Sequence, residues 1–279
     1  MSEKLKRKDA IAYLGISDKA FDNYFSKSKE ITGEKERGRW YFEVSHLDEW
    51  KELKDSRMVN LSMTEYERCF EFAIKMVYGG LSLHGIRGKR TEVQAADDVI
   101  LGILAEHAIK KFLKDKFRTE IELDEEVHPN EITPQDFDKI KDRSTGALRI
   151  PNLGVGVKAS KMKNAFLILG ENEVELAGRK SDVYIFARVG LPSDHLFRIL
   201  RGHSFFGKLR EFFENNRNFR QIEELGDIPV WICGFTYVDE LEKVTSIPGQ
   251  KFDKGHRYTK SVAKMYNSNE RWQELINNL

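Results

Sequence analysis

The stretch Ser181-Asp182-Val183-Tyr184-Ile185-Phe186-Ala187-Arg188-Val189 constrains the fold most strongly. Its apolar residues run on without alternating with polar ones, the pattern of a strand covered on both faces. Such a strand needs material on either side of its sheet, so the expected fold class is α/β, with a mixed central β-sheet flanked by helices. Ile228 to Phe235 reads as a second strand, and Ser268 to Leu279 as a closing helix. Val93 to Phe117 has the helical period, with Ile100, Ile103, Leu104, Ala108 and Phe112 as its core stripe and Lys110, Lys111 and Lys114 outside. Residues 56 to 92 hold a further helical pattern (Tyr66, Phe70, Ala73, Ile74, Val77), closed at Gly79-Gly80.

A chain of 279 residues has room for two domains with a sizeable core in the larger. No apolar run approaches the roughly 20 residues of a spanning helix, and Met1 to Asp9 is too charged for a signal peptide. No membrane residence is expected. Cys69 and Cys233 lack metal-ligand spacing and have apolar neighbours, which fits a reduced cytoplasmic compartment. The net charge of +1 argues against coating nucleic acid, but not against gripping it locally.

The first 57 residues form a compact unit. Lys8 to Gly15 reads as a short helix closed by glycine, and Ser17 caps a second helix running to Phe25. A strand, Arg39 to Val44, and another helix from Ser45 follow. In its order of elements the unit resembles the winged helix-turn-helix of the excisionase and MerR-type families. The resemblance implies a DNA-binding domain at 1–57, with Lys19, Asn23 and Lys27 facing bases or phosphates and Arg37 and Arg39 on the wing. Arg87, Lys89 and Arg90, in the basic loop from Leu81 to Thr91, are further candidates for DNA contact, as are Lys161 and Lys163.

Within 58–279 the charge is unevenly placed. Glu120 to Asp142 carries nine acids against two bases, whereas Arg143 to Leu169 has five bases and no acid. At the start of a strand-like stretch, Val155, Val157 and Ala159 alternate with Gly156, Lys158 and Ser160, so the face opposite the apolar one carries a lysine. Acids able to hold a divalent cation therefore precede a lysine on a strand, and bases able to meet phosphate surround it.

An acid-bearing helix, an acidic stretch, a strand carrying lysine and then a buried strand resemble the PD-(D/E)xK nucleases, and among them type II restriction endonucleases. The resemblance covers Val93 to Val189. It implies a restriction-endonuclease-like core at 58–279 and Mg²⁺-dependent cleavage of double-stranded DNA at a specific sequence, leaving 5′-phosphate ends. It also implies a homodimer and a cognate DNA methyltransferase acting on the same site. Lys158 takes the lysine position, and Asp138, or Asp136 in Pro134-Gln135-Asp136, takes the first acid. The family's second acid falls where this chain has Gly156. Glu106 on the preceding helix is the favoured replacement; Glu171, 13 residues after Lys158, is the other.

Two further readings share these features: a non-catalytic DNA-binding transcriptional regulator, and an RNA endonuclease of a defence system. No phosphate loop of the GxxxxGK[ST] type is present, and Asp194-His195 with Ser204 lacks a nucleophile elbow.

Overall fold

All seven residues of Val183–Val189 are buried, and the strand they form lies inside a four-stranded sheet. The computed structural model describes residues 3–78, 91–123, 135–142, 145–176, 180–201, 203–204, 222–253 and 255–279. The basic loop with Arg87, Lys89 and Arg90 lies outside the described residues.

In chain order the elements are β1 (Lys4–Lys6), α1 (Arg7–Leu14), α2 (Asp18–Asp22), β2 (Glu34–Glu36), β3 (Arg39–Glu43), α3 (Val44–Asp55), β4 (Met58–Leu61), α4 (Met63–Tyr78) and α5 (Glu92–Phe117). They continue with β5 (Ile121–Leu123), β6 (Phe137–Lys141), β7 (Leu148–Arg149), β8 (Val155–Lys161), β9 (Phe166–Gly170), α6 (Glu171–Glu175), β10 (Val183–Val189), α7 (His195–Leu200) and β11 (Ile228–Tyr237). The C-terminal part adds β12 (Glu242–Val244), β13 (Ser246–Ile247), β14 (Gln250–Lys251), β15 (Arg257–Ser261) and α8 (Asn269–Asn278).

The central sheet has the order β4-β11-β10-β8. β8 runs parallel to β10, while β11 is antiparallel to both β10 and β4, so the sheet is mixed. Period-2 alternation sends Val183, Ile185, Ala187 and Val189 of β10 to one face, where they join Val155 and Val157 of β8 under Ile100, Leu104 and Ala108 of α5. Tyr184 and Phe186 go to the other face, into a second apolar cluster with Phe21, Tyr24, Phe42 and Trp50 of the N-terminal unit. The unit at 1–57 thus packs directly on the central sheet. Between the two lies Arg188, fully buried, whose Nη1 and Nη2 each donate to one carboxylate oxygen of Glu30 at 2.8 Å. Its guanidinium carbon also lies 4.6 Å from the Trp231 ring centroid and 5.1 Å from that of Tyr24.

Local chemistry explains several boundaries. Gly15 ends α1 in the left-handed conformation (φ 63°), and the Ser17 side chain accepts from Ala20 N–H to start α2. Arg37 and Gly38, with φ 47° and 81°, form the two-residue turn joining β2 to β3, as a right-twisted hairpin requires. Thr91 and Gln94 cap α5 reciprocally.

One element departs from the sequence expectation. The helical pattern of 56–92 opens with a strand, β4, because Val59 and Leu61 bury themselves beside β11 while Asn60 between them stays exposed. After β9 the chain forms a short helix, α6, whose first turn is held by the Glu173 carboxylate accepting from Gly170 N–H at 2.8 Å.

Candidate active site

Lys158 sits in the middle of β8, the edge strand of the sheet, opposite Phe186 of β10. Since Val155 and Val157 face α5, the Lys158 side chain leaves the strand on the other face. There its ammonium reaches Glu173 Oε1 at 2.8 Å, and both side chains keep about a third or more of their surface exposed (34% and 41%). Asp136 approaches the open edge of the same strand. Its N–H donates to Val155 O at 2.9 Å, and its carboxylate accepts from Val157 N–H. An edge strand has unpaired backbone groups, and Asp136 satisfies two of them while bringing negative charge near Lys158.

Burial disfavours the charged form of Lys158, but the Glu173 ion pair and hydrogen bond and the nearby Asp136 outweigh it and raise the pKa above the ordinary lysine value. Lys158 is consequently a cation at neutral pH. It can hold an anionic group or orient a water molecule, but it cannot take up a proton.

Tyr184 organises the carboxylate side. Its ring lies opposite Gly156; its hydroxyl donates to Glu173 O at 3.0 Å and accepts from Ser181 N–H at 3.3 Å. A Cβ on residue 156 would lie 2.7 Å from Ser181 Oγ and 3.0 Å from the Tyr184 ring, so glycine is what the space admits.

The structure disperses the other candidates. Asp138 points outward from β6, half exposed, and pairs with its neighbour Lys139 at 3.2 Å. Glu106 is half-buried in α5, the helix covering the Val155–Val157 face; the sheet stands between that face and the side on which Lys158 emerges. Glu171 turns to the loop before β15, accepting from His256 N–H at 3.1 Å. Lys161 lies on the α5 side of β8, 3.6 Å from Asp97, and Lys163 is exposed in the turn that follows.

Glu173 is the carboxylate that the sequence reading passed over, two residues beyond Glu171. Its signal was the spacing Gly170-x-x-Glu173, in which a glutamate three residues after the helix start bonds back to it. Metal-binding capacity is modest. Among the described residues no group of three or more His, Cys, Asp or Glu is arranged to hold an ion. Mg²⁺ is usually held through one or two carboxylates and keeps several waters, and Asp136 and Glu173 are the pair that suits it.

In the N-terminal unit Lys19, Lys27, Arg37 and Arg39 are exposed, and none of them has an ion pair with another described residue. Four acids of the same unit are paired: Arg7 takes Asp18 and Asp22, and Lys4 takes Glu34 and Glu36. Asn23 does not join this surface. At 6% exposure it is buried, because the chain passes from α2 into a π-helical turn, Asn23–Lys27, which turns Asn23 and Tyr24 inward.

His195 is buried, hydrogen-bonded to Tyr66 through Nδ1 and to Asp97 through Nε2 at 2.8 Å, while Asp194 pairs with Arg198. This histidine ties α4, α5 and α7 together and is engaged on both ring nitrogens. Both cysteines are buried and neither is in a disulfide, and among the described residues no helix is long and apolar enough to cross a membrane.

Fold and site together define a mixed α/β protein carrying a cationic lysine between two carboxylates at a sheet edge. Comparison with protein-family models, with curated proteins and with solved structures found no match.

Proposed function

We propose that the protein is an endonuclease that hydrolyses phosphodiester bonds in double-stranded DNA with Mg²⁺, its N-terminal unit adding contacts to the duplex. The observation that carries this reading is Lys158, a partly exposed ammonium within reach of Glu173 and near Asp136. Asp136 and Glu173 would hold the divalent cation, which when bound offsets charge on the phosphate. Lys158 binds a non-bridging oxygen of the scissile phosphate and orients the attacking water, and its raised pKa keeps it charged for that role. Tyr184 holds α6 so that Glu173 stays beside Lys158. Exposed Lys19, Lys27, Arg37 and Arg39 contact backbone phosphates. As a restriction enzyme it would act as a homodimer on a symmetric site and be accompanied by a methyltransferase of the same specificity.

A second reading, a non-catalytic DNA-binding regulator, is favoured by Gly156, whose surroundings leave no room for an acid. One experiment separates the two. Unmethylated plasmid and phage DNA are incubated with the purified protein, with Mg²⁺ or with EDTA. Discrete Mg²⁺-dependent fragments, lost in Lys158→Ala and Glu173→Gln but kept in Glu106→Gln, support the nuclease. Retarded DNA without cleavage under every condition, methylated DNA included, supports the regulator.

A further inference from the structure

Among the described residues two guanidinium groups are almost completely buried, and they are treated differently. Arg188 meets Glu30 through two hydrogen bonds and donates from Nε to Asn164 O. Arg57, at 2% exposure, has no carboxylate within ion-pair distance among the described residues. Its Nη2 donates to Asn269 Oδ1 at 3.2 Å, while Nε and Nη1 have no partner among the described residues. Nearby, the buried indole Nε1 of Trp272 is unpartnered as well. A buried cation with unsatisfied donors is unfavourable, so such a group calls for an anion.

The surroundings point the same way. The Arg57 guanidinium carbon lies 5.6 Å from the Phe112 ring centroid, and Lys116 Nζ lies 6.0 Å from that same ring. Phe112 packs in turn against Trp272, with centroids 5.2 Å apart. Two cations are thus held on one aromatic ring without a bridging acid. Burial lowers the Lys116 pKa and Arg57 lowers it further; burial also pushes Arg57 down to about 10. Glu270 is the acid that Arg57 feels, but that carboxylate is hydrogen-bonded to its own N–H and to Ser268 at the start of α8. A surface groove reaches Lys116 and carries three cations, Lys116, Arg118 and Lys141, against two carboxylates, Glu120 and Asp142.

We propose that Arg57, Lys116 and the Trp272 indole form a binding site for a phosphate-type oxyanion, separate from the Lys158 site and independent of what that site does. Lys116, exposed and hydrogen-bonded to Ser56 O at 3.1 Å, lies on the solvent side of the site and supplies its second charged donor. Arg57 is pinned from behind, its carbonyl accepting from Ile232 N–H at 3.0 Å, so the donors are preorganised.

The probe is inorganic phosphate. Thermal unfolding of the full chain is followed in increasing sodium phosphate and in sodium chloride of matched ionic strength and pH. A bound anion stabilises by mass action, so the Tm should rise with phosphate and not with chloride. Lys116→Gln, a surface change that leaves the core intact, should need about tenfold more phosphate for the same rise, for loss of one charged donor. Arg57→Met should abolish the response. Equal effects of phosphate and chloride on the wild type, or an undiminished phosphate response in Lys116→Gln, would overturn the site. Duplex DNA distinguishes the source of the oxyanion. A salt slope of DNA binding reduced by about one in Lys116→Gln indicates a backbone phosphate. An unchanged slope, with the phosphate response of the wild type retained, indicates a free phosphate or phosphorylated small molecule.

Discussion

Replacing Glu30 by alanine should be among the most damaging single changes in the N-terminal unit. The Glu30 and Arg188 side chains are 5% and 0% exposed, and the carboxylate takes both terminal nitrogens of the guanidinium at 2.8 Å. Removing the carboxylate leaves Arg188 charged between Tyr24 and Trp231, with one remaining acceptor, Asn164 O. Stranding one member of a buried ion pair costs about 3–5 kcal/mol, against about 0–1 kcal/mol for a surface pair. That is a large share of a typical stability of 5–15 kcal/mol, roughly. Urea unfolding monitored by tryptophan fluorescence measures it, with Trp231 reporting from the interface itself. The double variant Glu30→Met/Arg188→Met should recover most of the loss, since two methionines fill similar volume and bury no charge. A cost below about 1 kcal/mol for Glu30→Ala, or a double variant that merely sums two large losses, would refute a buried, coupled pair.

Three further outcomes follow from the geometry. Gly156→Asp, which restores an acid at the position expected from nuclease sequences, should destabilise by about 1–3 kcal/mol in urea unfolding; a Cβ there meets Ser181 Oγ at 2.7 Å, and wild-type stability would show that the space is not filled. Asn23→Ala should lower stability and leave DNA affinity unchanged, while Lys27→Ala and Arg37→Ala should weaken DNA binding and leave stability unchanged; gel retardation and thermal melts would expose the reverse pattern. Asp97 has its pKa lowered by the His195 hydrogen bond, against burial and with help from Lys161. A depressed folded pKa gives stability that is present above the unfolded carboxylate value and is lost as the pH falls through the folded one. Asp97→Asn should therefore flatten the acid limb of the stability curve, and an unaltered limb would remove Asp97 from that role.

Much of the local structure can be read from short stretches of chain. Ser17 marks the start of α2, Gly15 the end of α1, and the alternation in Val155–Lys161 the two faces of β8, because each signal lies within a few neighbouring residues. The continuous apolar run at Val183–Val189 likewise announces a strand covered on both sides. The site was only partly legible. Lys158 and Asp136 are visible as residue types in a pattern, but Glu173 and Glu171 are two acids in one short segment, and only the setting of α6 against β8 selects the first. Glu106 looks well placed on its helix; the choice of which sheet face α5 covers takes it away from Lys158.

By itself, then, the sequence determined the secondary elements whose periodicity and caps are complete within a few residues, and the sidedness of each strand. Tertiary structure decided which side faced what. The Glu30–Arg188 pair joins positions 158 residues apart, Tyr184 fills the space at Gly156 from a neighbouring strand, and Asn23 lies inward in a π-helical turn whose Tyr24 packs on Trp231. The physical reason is range. Backbone geometry and capping act between near neighbours, whereas packing and buried charge pairing depend on residues that meet only once the chain has folded.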